Sequence, residues 1–279
     1  MKFNNPRIEQ KIMLGILWIF TIITVFILLF IILYILKKGL PVISYNFLMT
    51  NPVDMGKSGG IFSTIIGTVV LTIGAILIAT PLGIGTAIYL TEYTLENKFT
   101  RIVKFGSECL AGIPSIIFGL FGFILFVIKL QFGWSILSGS LTLAIMILPT
   151  IIRTSEEAIK SVPYIHREVS YSLGSTKWQT VTRVVLPSAI PGIMTGIVLS
   201  IGRSIGETAA VIFTAGAVLR IPTSLFSSSR TMAVHFYILA REGISMPNAY
   251  GTAAILIIII LIINMVTYIL MNRFIKKYS

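Results

Sequence analysis

An all-α membrane fold with about six transmembrane helices is what this sequence predicts, and three observations predict it. Hydrophobic residues make up 55% of the 279 residues and charged residues only 11%, with a mean hydropathy of +0.93. Soluble domains carry about a quarter of their residues as Asp, Glu, Lys and Arg, so most of a water-facing surface is missing here. Six apolar stretches approach the roughly 20 helical residues that a hydrocarbon core of about 30 Å demands. Finally, the lysines and arginines gather in alternate connecting segments, as they do when alternate loops face the cytoplasm.

The first stretch, 12–36, is too long for a signal-peptide core, and no small-residue cleavage site follows it. It is expected to stay as an anchor behind a short cytoplasmic N-terminus, residues 1–11, and ahead of a single membrane domain, 12–279. The second stretch is 61–90 and the third 109–128. The fourth, 138–152, is short and is expected to extend at either end, while the fifth and sixth cover 192–218 and 251–271. Pro81, Pro114 and Pro149 predict kinks whose freed carbonyls find partners on neighbouring helices or water.

Orientation follows from the 22 basic residues. Fourteen fall on the side that holds both termini, seven on the other, and one, Arg203, lies inside the fifth stretch. Both termini are therefore expected in the cytoplasm. The formal net charge of +12 is scattered between apolar stretches with no recognition motif, which argues against nucleic acid as a partner and leaves membrane lipid as the main solvent. Cys109 is the only cysteine, so it forms no internal disulfide and reads as a packing residue; no metal-ligand spacing is present.

The longest cytoplasmic connection is 153–190, the most polar part of the chain. Pro163 suits the first position of a helix, Gly174 the left-handed residue that closes it, and Thr176 with Gln179 a capping box that opens another. Two short helices around a glycine turn form a compact knob. Within it, Glu168, Ser170, Gly174, Val184, Leu186 and Pro187 have a spacing that resembles the loop signature of ATP-binding-cassette (ABC) importer permeases, Glu-Ala-Ala, three residues, Gly, nine residues, Ile, one residue, Leu-Pro. Val169 and Ser170 replace the usual alanines. The resemblance implies a type I ABC importer permease-like fold in which the knob is a coupling helix seated in a cleft of an ATPase subunit. Ser170 would allow close approach to that partner and Trp178 would anchor the contact. The competing reading is an amphipathic loop lying on the membrane.

The stretches GGIFSTIIGTVVLTIGAILIATPLGIGTAIYLTEY, GIPSIIFGLFGF, LPTIIRTSEEAIKSVP and RSIGETAAVIFTAG are similar to those of the phosphate-specific transport permeases, nearer the PstA than the PstC branch. That likeness implies a non-catalytic permease subunit working with a PstC-like second permease, a PstB-like ATPase dimer and a PstS-like phosphate-binding protein. It implies that ATP and Mg are bound by the ATPase, since this chain has no phosphate-binding Gly-rich loop and binds no cofactor of its own. Another oxyanion such as phosphonate, sulfate or molybdate, or an ion-coupled secondary transporter, remains open at this point.

An arginine at the middle of a bilayer costs about 2.5–3.5 kcal/mol, so Arg203 is expected to face a bundle interior or a watery path. Glu207, four residues on, would share its helical face. The pair is read either as a structural ion pair beside Gly202 and Gly206, or as a phosphate contact in which the Arg203 fork binds an oxyanion and Glu207 holds it when empty. Arg203 and Glu207 fall on the Arg-x-x-Gly-Glu-Thr string that the resemblance associates with phosphate passage. Ser204 and Thr208 are further hydroxyl candidates. Glu156 and Glu157 diverge on a helix and do not make an acid/base pair. His166 and His235 are expected to be structural or interfacial, and 220–250 to carry a short helix at the outer gate.

Overall fold

The computed structural model describes residues 6–94 and 97–278, so the first five residues of the expected cytoplasmic N-terminus lie outside the described residues. The order along the chain is α1 (Pro6–Gly39), α2 (Tyr45–Met49), a two-stranded antiparallel hairpin of β1 (Pro52–Val53) and β2 (Ser58–Gly59), α3 (Phe62–Ile88), α4 (Lys98–Ala111), α5 (Ser115–Gly122) and α6 (Ile136–Lys160). There follow α7 (Tyr164–Ser172), α8 (Lys177–Thr180), α9 (Leu186–Gly206), α10 (Ala209–Thr214), α11 (Met232–Arg241) and α12 (Met246–Tyr278). Among the described residues, five helices are long and apolar enough to cross a bilayer: Glu9–Val42, Phe62–Tyr93, Ile136–Lys160, Lys177–Gly206 and Met246–Ile269. A sixth crossing comes from a pair bent by 105°, Thr100–Ala111 and Ser115–Lys129.

That bend corrects the third expected span. Pro114 has no N–H to offer a preceding turn and disfavours helical backbone at Ile113, so the helix stops at Ala111 and restarts at Ser115. Cys109 therefore belongs to α4 and is exposed rather than packed. The fifth span is also interrupted. α9 ends at Gly206, Glu207 is extended (φ −74°, ψ 130°), and only the six residues of α10 continue beyond it. The fourth span extends at both ends, as its length required.

Small residues let the spanning helices approach closely. Gly83 on α3 lies against Ile151 and Ile152 of α6, and Gly139 against Leu71 and Ala215. Gly192 and Gly196 set α9 on Ala158 and Thr154 of α6, while Gly119 and Gly122 set α5 on α10 and Thr142. Leu71, Ala75, Leu143, Ile147, Ile151 and Val211 fill the resulting core. α1 stands at the edge, exposed along its apolar length, and touches α12 where Gly39 meets Tyr250 and Ala254. A lipid-facing helix can keep such residues exposed because lipid tails are as apolar as leucine.

Candidate functional site

The connection from α6 to α9 is shorter than its sequence suggests, because α6 runs to Lys160 and the helix after the turn begins at Lys177. α7 is the only separate short helix. α8 runs through a π-helical turn, Val181–Val185, straight into α9, so Lys177–Gly206 is one continuous element of 30 residues. Pro163 sits at the N-cap rather than the first helical position. Gly174 takes φ +81°, which reverses the chain without a Cβ penalty, and Thr176 and Gln179 form the reciprocal capping box.

The knob shows one polar joint and one bare apolar face. Arg167 and Glu92 are 9% and 7% exposed at their side chains, and Arg167 Nη2 lies 2.7 Å from Glu92 Oε1. Arg167 Nε donates to the same oxygen at 3.1 Å, Nη1 to the Val162 carbonyl at 2.8 Å and Nη2 to the Ile159 carbonyl at 3.0 Å. Glu92 ends the α3 segment in a π-helical turn, Tyr89–Tyr93, and Lys177 Nζ stands 5.2 Å from the centre of the Tyr93 ring. Removing one member of such a buried pair costs about 3–5 kcal/mol, because the other charge is left unpaired.

Of the residues expected to meet an ATPase, Glu168, Gly174 and Trp178 are exposed, Trp178 to 63%. Ser170 is a correction: it turns inward, its hydroxyl 2.9 Å from that of Thr180, and it holds α7 to α8. Leu186 and Pro187 are half-buried in the first turn of α9. The bare face instead shows Leu173, 82% exposed, with Ile165 and Val169, while Tyr164, also exposed, lies towards Arg167 and Tyr171. These residues escaped a motif-based reading, which ranks positions by signature; the signal was three large apolar side chains at four-residue spacing in a polar segment. His166 is exposed beside them.

Nearby, Glu156 accepts from Lys160 Nζ at 2.6 Å and lies 3.4 Å from Lys104 of α4, while Glu157 pairs with Arg153 at 3.3 Å. The adjacent carboxylates thus face different cations: Glu156 joins α4 to α6, and Glu157 pairs within α6.

At the break after α9, Arg203 and Glu207 do not pair, which corrects the helical i, i+4 geometry expected of them. Glu207 lies outside the helix and its Oε1 accepts the Ala210 N–H at 3.2 Å, capping α10. Arg203 is half-buried, in the last turn of α9, and no ion pair to it occurs among the described residues. It shares its side of the helix with Thr195, Leu199 and Gly206, all exposed. Among the described residues nothing lies within 4 Å of where a Cβ would stand on Gly202 or Gly206. Ser204 points the other way: it is buried, with its hydroxyl unpartnered, and Thr208 is half-buried at the break.

The far end of the bundle is capped by α11. His235 there is buried, its Nδ1 3.5 Å from Arg230 Nη1, and Arg230 Nε donates to the Ala217 carbonyl at 2.8 Å. Burial and then the Arg230 charge push the His235 pKa down to about 4. The ring underlies Gly56, where a Cβ would strike it. The expected short helix in 220–250 is α11.

Residues 79–279 match the family described as "Binding-protein-dependent transport system inner membrane component". The chain is 33% identical over 99% of both lengths to the probable ABC transporter permease protein YqgI of Bacillus subtilis. It is 30% identical to the phosphate transport system permease protein PstA of Haemophilus influenzae, covering 96% of this chain and 95% of that one. Among solved structures, a bacterial ABC transporter involved in import of the acidic polysaccharide alginate superposes with a TM-score of 0.69 over 96% of this chain and 97% of that one, at 19% identity. That last likeness concerns the fold.

Proposed function

From the premise that this chain belongs to the family of binding-protein-dependent transport system inner membrane components, we propose that it is a permease subunit of an ATP-driven importer of inorganic phosphate. Relatives named as phosphate permeases support the cargo. Both termini and the α7 knob face the cytoplasm, in keeping with the excess of lysine and arginine at that end. The exposed Leu173, Ile165, Val169 and Trp178 dock on a separate ATPase, which binds ATP and Mg; this chain does no chemistry itself. A phosphate-binding protein delivers cargo at the α11 end, and a second permease covers the open side of α9.

The observation that carries this reading is Arg203. A charge within a helix of membrane-crossing length is expensive unless it faces water or a partner. Arg203 is half-buried on a side of α9 where Leu199 and Gly206 are exposed and Thr195 touches Met271 of α12, and among the described residues nothing lies within 4 Å of where a Cβ would stand on the neighbouring Gly202 or Gly206. A second subunit laid against that side would make a lined passage, and a planar guanidinium with fork geometry suits a tetrahedral oxyanion. Glu207 bends the backbone away after Arg203 and keeps the carboxylate from occupying the fork. Thr208 lies at the same break and Ser204 behind it.

The test is ATP-dependent uptake of radiolabelled phosphate by vesicles carrying the chain with its ATPase, second permease and binding protein. Arg203→Gln at matched abundance is expected to lose about 10- to 100-fold, the worth of one charge-assisted contact of roughly 1.5–3 kcal/mol. Unchanged uptake would remove Arg203 from the path, and uptake without ATP would overturn the importer reading.

A further inference from the structure

Arg167 is more than a brace for the knob. Its guanidinium holds the Glu92 carboxylate at the end of the α3 segment, the Ile159 carbonyl at the end of α6 and the Val162 carbonyl in the link that follows, while the residue itself belongs to α7. The end of the α3 segment, with Glu92 75 residues from Arg167, thus meets α7 and the nearby end of α6 at one nearly dry fork. Lys177, on the other arm of the knob, stands against Tyr93 beside Glu92. The other contacts of the knob are apolar or local, such as Ser170 with Thr180 inside it.

α3 and α6 are themselves closely fitted through Gly74, Gly83 and Gly139, so whatever moves the end of α3 moves α6 with it. A docked ATPase would pull on α7 and the start of α8, which bear the knob's exposed apolar side chains. Apolar contacts slide at little cost, whereas a buried fork-to-carboxylate pair fixes direction as well as distance. We propose that Arg167 and Glu92 form the transmission joint of this permease, positioning residues through which displacement of α7 is converted into displacement of the α3–α6 pair. The proposal rests on the importer reading above. It is energetic as well as geometric: the joint acts only if its loss changes how the two conformations of the permease follow the ATPase.

The experiment uses the whole complex in proteoliposomes, in a Cys109→Ser background so that added cysteines are unique in this chain. Phosphate moved per ATP hydrolysed is measured for the native pair, Glu92→Gln and Glu92→Asp. In parallel, the distance between a spin label at Leu82→Cys on α3 and one on the ATPase is measured with and without nucleotide. In Glu92→Gln, hydrolysis continues, phosphate moved per ATP falls about tenfold and the nucleotide-driven distance change shrinks; Glu92→Asp, which keeps the charge, recovers most of both. A native ratio and native distance change in Glu92→Gln overturn the joint. So does a Glu92→Gln variant that merely fails to accumulate while the material that does assemble couples normally, since the pair is then a folding brace. If the native complex moves no phosphate the cargo reading fails, and the label distances decide the joint independently.

Discussion

Truncating Leu173 to alanine is expected to weaken binding of the ATPase subunit about 30-fold and to leave the permease's own stability unchanged. The side chain is 82% exposed at the tip of the knob, so it contributes almost nothing to the fold. Leucine exceeds alanine by three carbons, each worth about 0.8 kcal/mol when fully removed from water. Scaled to the exposed share, full burial under a partner amounts to about 2 kcal/mol, and every 1.4 kcal/mol is tenfold in affinity. Total buried area converts poorly to affinity, but the difference between two side chains at one position escapes most of that objection. Titrating purified ATPase subunit onto the complex in nanodiscs, with a thermal melt of the permease as control, gives both numbers. An unchanged affinity refutes docking through this face. A drop in melting temperature matching the loss of affinity refutes the assignment of the effect to docking.

Acidification should loosen the α11 end. His235 is neutral when folded, with its pKa near 4 against about 6.5 unfolded, so the stability this contributes is complete above pH 6.5 and is lost as pH falls towards 4. About 3 kcal/mol is at stake, and a melt series from pH 7.5 to 4 should show a slope that His235→Gln abolishes. Gly122→Val should lower the melting temperature by several degrees, because a side chain there meets Thr142 and Thr214 and overpacking costs about 1–3 kcal/mol. Glu207 can be dissected by two variants. Glu207→Gln keeps an oxygen for the Ala210 N–H and should preserve uptake if capping is its task, whereas Glu207→Ala should lower uptake and stability by about 1 kcal/mol.

Hydropathy marked six apolar stretches, at which five crossing-length helices and one bent pair occur among the described residues, because the cost of exposing polar backbone to lipid acts over about twenty residues at a time. Hydropathy alone does not mark the two breaks for the same reason, although Pro114 itself announced a kink in the third stretch. Ile113–Pro114 and Gly206–Glu207 act over two residues each, inside windows that stay apolar, and Glu-Thr-Ala-Ala after Gly206 has no strong breaker to announce a stop. The knob was legible where its chemistry is local: Gly174 at positive φ, and Thr176 with Gln179 three residues apart. Arg167 and Glu92 were not, since nothing in either neighbourhood points across 75 residues. Ser170 illustrates a second limit: a motif fixes spacing, but whether a small residue faces a partner or its own second helix depends on the knob's tertiary turn.

On the proposed reading of Arg203, one chain of such an importer is incomplete along its path. The apolar groove of about 270 Å³ between α3, α9, α11 and α12 takes Ile201 and Ile205 from α9, and Arg203 is not among the residues that line it. On a helix, a residue two positions from each of those isoleucines points to the opposite side, towards Thr195, Leu199 and Gly206. A passage enclosed within this chain would have to turn the charge inward, where Ser200 and Ser204 already sit buried with unpartnered hydroxyls. Presenting Arg203 to that side, beside two glycines with nothing described within 4 Å of a Cβ position, would leave closure to a neighbouring subunit and let the passage open by moving helices apart instead of unpacking a core. On that arrangement the joint at Arg167 needs to shift only the α3–α6 pair, because α9 is seated on α6 through Gly192 and Gly196 and carries Arg203 with it.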